Sequence, residues 1–222
     1  MNWQQPVDLY CERFDPGLFA EPLNALSNLA FIAAGLWLMA ALPRLFPSPR
    51  KTPAQLEVLA GLVLLIGICS AAFHVFATAW AQMLDVGSIG LFIYFFVICF
   101  AHYLLDVRWV LAWLAAPAFW AFGLFVQAPF EPAAFNGSVT YFPALAGIAL
   151  MGAWLVLQRR RGAAEFVLAT LLFLGSLSLR SVDLAWCQGW VWGTHWAWHL
   201  LNGVVLGLVT IGLARACATA PR

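Results

Sequence analysis

Apolar residues run along this chain in seven long stretches, and most polar residues fall in the gaps between them. The stretches are about Asn24 to Leu42, Leu56 to Phe76, Met83 to Leu104, Trp109 to Val126, Val139 to Leu157, Phe166 to Ala185 and Thr194 to Leu213. Each is roughly 18 to 22 residues long, enough for a helix to cross the hydrocarbon core of a bilayer. A transmembrane barrel would show strands of about ten residues with alternating polarity, and none of the stretches alternates in that way. The pattern therefore predicts an all-α integral membrane protein, a seven-transmembrane helix bundle. It divides the chain into an acidic segment over 1–22, the seven-span domain over 23–214 and a short tail over 215–222. Met1 to Glu21 lacks a basic stretch followed by an apolar one, so the first span is expected to act as its own membrane signal.

Composition sharpens this picture. Of 222 residues, 64% are hydrophobic and 9% charged, and mean hydropathy is +0.86. Soluble domains carry about a quarter charged residues, so a soluble domain, a disordered chain and a nucleic-acid binder are all excluded. The distribution of charge says more than its sum. Arg44, Arg50, Lys51, Arg108, Arg159, Arg160, Arg161, Arg215 and Arg222 fall in the first, third and fifth connectors or after the last span. Arg13 alone falls on the other side, and Arg180 lies within a span. The positive-inside rule then puts the N-terminus outside and the C-terminus in the cytoplasm. The expected location is the cell's inner membrane.

Against so apolar a background, ionisable residues within spans mark candidate chemistry. His195 and His199 are four apart, on one face of a helix and one turn from each other. They open the seventh span, while His74 closes the second. Both positions lie near the outer end, so topology brings three imidazoles to one depth. Three neutral imidazoles with an open position form the ligand set of a catalytic zinc. No Glu follows His195, so this is not the H-E-x-x-H arrangement, and a base must come from elsewhere. Asp85 is the candidate, 11 residues after His74 across a tight outer turn. Ser70, one turn before His74, could hydrogen-bond the attacking water or a developing oxyanion. His102, near the inner end, reads as a residue that hydrogen-bonds one helix to another.

Other polar residues cluster toward the same outer side. Arg180 and Asp183 have the spacing of a helical ion pair, and Asp183 could instead orient a ligand histidine. Asp8, Glu12, Asp15 and Glu21 are oxygen donors of the type that binds Ca²⁺, although their spacing is not that of an EF-hand. Asn24, Ser27 and Asn28 make a polar start to the first span, as capping or packing residues first and as supports for ligands second. Cys11 and Cys187 both fall on the oxidising side, where a disulfide could tether the N-terminal segment to the connector before the last span. Gly203 and Gly207 form a small-xxx-small pair, a sign of close helix packing.

These residues resemble the alkaline ceramidases and their wider superfamily of seven-span hydrolases. The matching blocks are Cys11-Glu12, Glu21-Pro22-Leu23-Asn24-Ala25-Leu26-Ser27-Asn28, Ser70-Ala71-Ala72-Phe73-His74, Asp85, the Arg180 to Asp183 stretch, and His195-Trp196-Ala197-Trp198-His199. The resemblance implies a zinc-dependent amidase acting on a lipid within the membrane. His74, His195 and His199 would hold Zn²⁺, Asp85 would take the proton of the attacking water, and Ser70 would help stabilise the oxyanion. Cys11 and Cys187 match the family's cysteine pair. Asp8, Tyr10, Glu12, Asp15 and Glu21 would supply a nearby Ca²⁺ site. That block departs from the family pattern at Leu9 and Phe14, where ligands are expected. The implied substrate is a membrane lipid, an N-acyl sphingoid base or related amide. Two other readings stay open: a lipid esterase of the same superfamily, and a seven-span metal-binding receptor or transporter.

Overall fold

The computed structural model describes residues 2–15, 17–49 and 51–219. Arg50 and Arg222, counted above among the bases, lie outside the described residues. The helices are α1 (Pro22–Ser27), α2 (Leu29–Leu45), α3 (Ala54–Phe76), α4 (Ala79–Leu104), α5 (Trp109–Ala112), α6 (Ala115–Gln127), α7 (Phe142–Leu157), α8 (Ala163–Trp186) and α9 (His195–Thr219). A 3₁₀ turn, Ser138–Tyr141, leads into α7. Among the described residues, seven helical stretches are long and apolar enough to cross a membrane. They coincide with the seven stretches read from the sequence, most of them extended by a few residues at one or both ends. α9 runs to Thr219, past the Leu213 boundary and into the stretch read as a tail.

Two of the spans are interrupted, each for a local reason. The first breaks at Asn28 between α1 and α2, where Asn28 Nδ2 and Ser27 Oγ both donate to the Asn24 carbonyl. These side chains offer the backbone an alternative to a straight helix. The fourth breaks between α5 and α6. Pro117 has no N–H to give the Trp113 carbonyl, and the Ala116 amide takes that carbonyl in a tighter turn.

The Pro22–Leu45, Ala54–Phe76 and Ala79–Leu104 spans pack side by side, and α9 closes against α2 and α8. α9 is the most buried span, and the Trp109–Gln127 span is the least. Residues such as Leu38, Leu59, Val63, Phe166 and Leu213 fill an apolar core. Buried polar side chains gather at the end of the bundle that holds the C-terminus of α3 and the N-terminus of α9. That end is opposite the basic connectors before α3, α5 and α8. The N-terminal segment lies across it. Val7 N–H donates to the Ala77 carbonyl at 2.8 Å, and Ala79 N–H to the Gln5 carbonyl at 3.0 Å.

Gly203 sets the approach of α9 to α2. A Cβ there would meet the Ala30 backbone carbon at 2.8 Å and its Cβ at 2.9 Å. Gly207, the other half of the small-xxx-small pair, would meet Ala34 only at 3.8 Å. Forcing a methyl into so tight a contact costs about 1–3 kcal/mol. Gly203→Ala should therefore lower the thermal midpoint. Gly61→Ala should not, because nothing lies within 4 Å of a Cβ at Gly61. Equal midpoints for the two variants would contradict this packing.

Candidate metal centre

His74 sits in the last turn of α3, and His195 and His199 in the first two turns of α9. All three are buried, and one ligand nitrogen from each lies within 4.8 Å of the others. The Nε2 atoms of His74 and His199 are 3.2 Å apart. Two nitrogens each about 2.0 Å from a tetrahedral ion would be separated by about 3.3 Å. Among the described residues this is the one group of three or more His, Cys, Asp or Glu that converges in this way.

Each histidine is held from behind. Glu21 Oε2 lies 2.6 Å from His74 Nδ1. Ser27 Oγ lies 2.8 Å from His199 Nδ1, and the Ser27 hydroxyl proton goes to the Asn24 carbonyl. Ser27 Oγ therefore accepts from His199 Nδ1–H. Both contacts favour the tautomer that leaves Nε2 with a free lone pair facing the centre. The His195 ring is stacked on Tyr10, with centroids 3.7 Å apart. Its backbone is fixed by Asp183, whose Oδ1 accepts the amides of Thr194 at 2.6 Å and His195 at 3.0 Å. Asp183 Oδ2 accepts the Cys11 amide at 2.9 Å. One carboxylate thus caps α9 and ties the N-terminal segment to it. Gly193 lies so close to Asp183 and Cys11 that a Cβ would collide with both, and its φ of 59° favours glycine.

The donor set fits a divalent metal ion. Besides the three imidazoles, two buried polar atoms at the site have no hydrogen-bond partner: His195 Nδ1 and Asp85 Oδ1. Buried polar atoms are nearly always satisfied, and orphans point to a missing ion or water. Asp85, on α4, and Ser70, on α3, share a cavity with Tyr10, His195 and His199. Ser70 hydrogen-bonds the Asp85 carboxylate. The cavity volume is about 90 Å³. Apart from Asn202 and Tyr141, its remaining walls are apolar, among them Phe92, Phe96, Ile148, Met151 and Val209.

Cys11 and Cys187 are joined as a disulfide, with Cα atoms 5.4 Å apart. Three other expectations require correction. First, Arg180 and Asp183 do not pair. Arg180 Nη1 donates to the Asn136 carbonyl at 2.7 Å and to Ser138 Oγ at 2.9 Å. Its guanidinium lies 5.1 Å from the Tyr141 ring centre and 5.9 Å from that of Trp198. Asp183 is instead taken up by backbone amides, which meet a carboxylate at a helix N-terminus better than a side chain three residues away can.

Second, the candidate calcium ligands do not converge. Asp8 is exposed. Tyr10 packs on His195, and burial pushes its phenol above the ordinary range. Glu12 accepts the amides of Leu23 at 2.6 Å and Asn24 at 2.8 Å, capping α1 from ten residues upstream. Burial raises its carboxyl despite those bonds. Asp15 Oδ1 accepts the Gly17 amide. Glu21 serves His74, Asn24 and Arg13. Burial works to raise the Glu21 carboxyl, but these hydrogen bonds outweigh it and hold the group below its ordinary value. Third, His102 makes its hydrogen bond to the Val107 carbonyl just beyond its own helix and not to a neighbouring span, although its ring does pack edge-on against Trp109 of the next span.

Tyr10 against His195 and Glu21 behind His74 were not legible as partners of the histidines. Both come from the N-terminal segment, which has no periodicity to place it. Neither the models of known protein families nor the curated proteins give a match to this chain. Its own geometry therefore defines it: an all-α membrane protein of seven long helices with a three-His centre able to coordinate a metal ion.

Asp183→Ala removes three backbone hydrogen bonds to a buried carboxylate. Bonds to charged groups contribute about 1.5–3 kcal/mol each. The variant should lose several degrees of thermal midpoint and bind metal about tenfold more weakly, because His195 is no longer fixed. Unchanged metal affinity, measured by competition with a chromophoric chelator, would show that Asp183 does not position the ligand.

Proposed function

We propose that the protein is a zinc-dependent hydrolase that cleaves an amide bond in a membrane lipid. The observation that carries this reading is the shared cavity, where two of the three ligand histidines, His195 and His199, meet an acid, a hydroxyl and a largely apolar interior. Three imidazoles without thiolate or carboxylate suit Zn²⁺ best among common ions and leave a position open for chemistry. The motif resemblance to alkaline ceramidases supports an N-acyl sphingoid base or a related lipid amide as substrate. Charge distribution supports an outer-facing site in the inner membrane, with the C-terminus in the cytoplasm.

A zinc ion bound here supplies Lewis-acid activation of the scissile carbonyl and of water. His74, His195 and His199 would hold it, with the tautomers of His74 and His199 set by Glu21 and Ser27. Asp85 has one unpartnered buried oxygen, and we assign it as the base that takes the proton of the attacking water. The same carboxyl then gives that proton to the departing amine nitrogen. Ser70 positions Asp85 by donating its one O–H to that carboxylate, and once Asp85 has taken the proton this O–H is free to meet negative charge developing on the carbonyl oxygen. The apolar walls take the acyl chain without costing it its lipid-like surroundings, and they exclude bulk water from the reacting atoms.

Asp85→Asn keeps the shape of the side chain and removes the base. It should retain zinc and lose at least about 10²-fold in turnover of a fluorescent N-acyl sphingoid base. Unchanged turnover would reject Asp85 as the base. Faster release of fatty acid from a glycerolipid ester than from the amide would redirect the assignment to an esterase.

A further inference from the structure

We infer that the guanidinium of Arg13 is a built-in cation, standing where the motif resemblance calls for calcium, and that through Glu21 it holds the three-His centre ready for metal. The inference rests on the metal-centre reading and concerns what maintains it. The Arg13 side chain is 5% exposed. Its Nε donates to Glu21 Oε1 at 2.6 Å. Its Nη1 donates to the carbonyls of Asp15 at 3.2 Å and Gly17 at 3.4 Å, and its Nη2 to that of His74 at 3.4 Å. One carboxylate and three carbonyls are oxygen donors of the kind that a calcium ion gathers. Here they gather around a charge that the chain carries itself.

The acids that could have completed a calcium site are engaged elsewhere. Glu12 caps α1, Asp15 takes the Gly17 amide, and Asp8 faces out. Leu9 and Phe14 offer no ligand oxygen from their side chains. A divalent ion would have to displace a nearly buried guanidinium from its carboxylate. Calcium therefore does not fit this segment as it is folded.

The consequence reaches the metal centre through a single carboxylate. Glu21 Oε1 meets Arg13, while Oε2 meets His74 Nδ1 at 2.6 Å and Asn24 Nδ2 at 3.1 Å. Glu21 is as buried as Arg13, and a buried carboxylate stripped of its partner is strongly destabilised. Without Arg13, Glu21 would turn away from the site toward water, and His74 would lose the acceptor that fixes its tautomer. Arg13 is thus a positioning residue. Its charge is permanent, so the centre does not depend on calcium supply.

The test uses the full-length protein in lipid nanodiscs. Zinc affinity is measured by chelator competition, and the thermal midpoint by tryptophan fluorescence, in calcium-free buffer and in millimolar calcium. In the unsubstituted protein neither quantity should change with calcium. Arg13→Ala should bind zinc at least about tenfold more weakly, Arg13→Lys should lie between, and added guanidinium ion at concentrations too low to denature should recover part of the loss. Zinc affinity in Arg13→Ala equal to that of the unsubstituted protein would overturn the proposal. So would a calcium-induced rise in midpoint or zinc affinity of the unsubstituted protein, an arm that stands even if Arg13→Ala fails to fold. Absence of zinc binding by the unsubstituted protein under both conditions would instead count against the metal-centre reading itself.

Discussion

The pairing of Glu21 with His74 is the contact on which the rest of the site depends. It puts a carboxylate in the buried end of an otherwise apolar bundle. In such surroundings every polar group must find a partner within the protein, because lipid offers none. Glu21 finds three, and each belongs to a different part of the fold: Arg13 in the N-terminal segment, Asn24 in α1 and His74 at the end of α3. One side chain thereby joins the entry of the chain into the bundle to the first of the three clustered histidines.

Two further carboxylates extend the same logic. Glu12 satisfies the amides that open α1, and Asp183 satisfies those that open α9. Helix N-termini leave amides without partners, and a buried terminus must satisfy them. Here residues remote in sequence do so, which locks the N-terminal segment onto the bundle. The Cys11–Cys187 disulfide reinforces that attachment covalently. The histidines then stand on helix ends held by two of these carboxylates, Glu21 and Asp183, while Glu12 fixes α1 beside them. This is the preorganisation that metal coordination rewards.

Much of this was legible in the sequence. The seven spans, their approximate limits and the convergence of His74, His195 and His199 follow from hydropathy and topology, because helices that cross alternately bring predictable ends together. Asp85 and Ser70 followed from the same argument. The N-terminal segment did not. Its residues carry no helical or strand period, and their partners are decided by tertiary contact alone. Its acids therefore read as one cluster, whereas the fold scatters them among backbone amides and an arginine. Arg180 and Asp183 mislead for a related reason. Their spacing permits an ion pair, but the aromatic rings of Tyr141 and Trp198 and the amides at the start of α9 offer each a better environment.

The central claim is that three imidazoles bind one zinc ion at the buried end of the bundle. X-ray absorption at the zinc edge, on protein loaded with one equivalent and washed, tests it most directly. The account predicts one retained zinc per chain with a nitrogen-dominated shell at about 2.0–2.1 Å and a clear imidazole signature. That signature should disappear with the metal in His74→Ala, His195→Ala and His199→Ala. Sulfur ligation, a shell without imidazole, or full retention of zinc in those variants would contradict it.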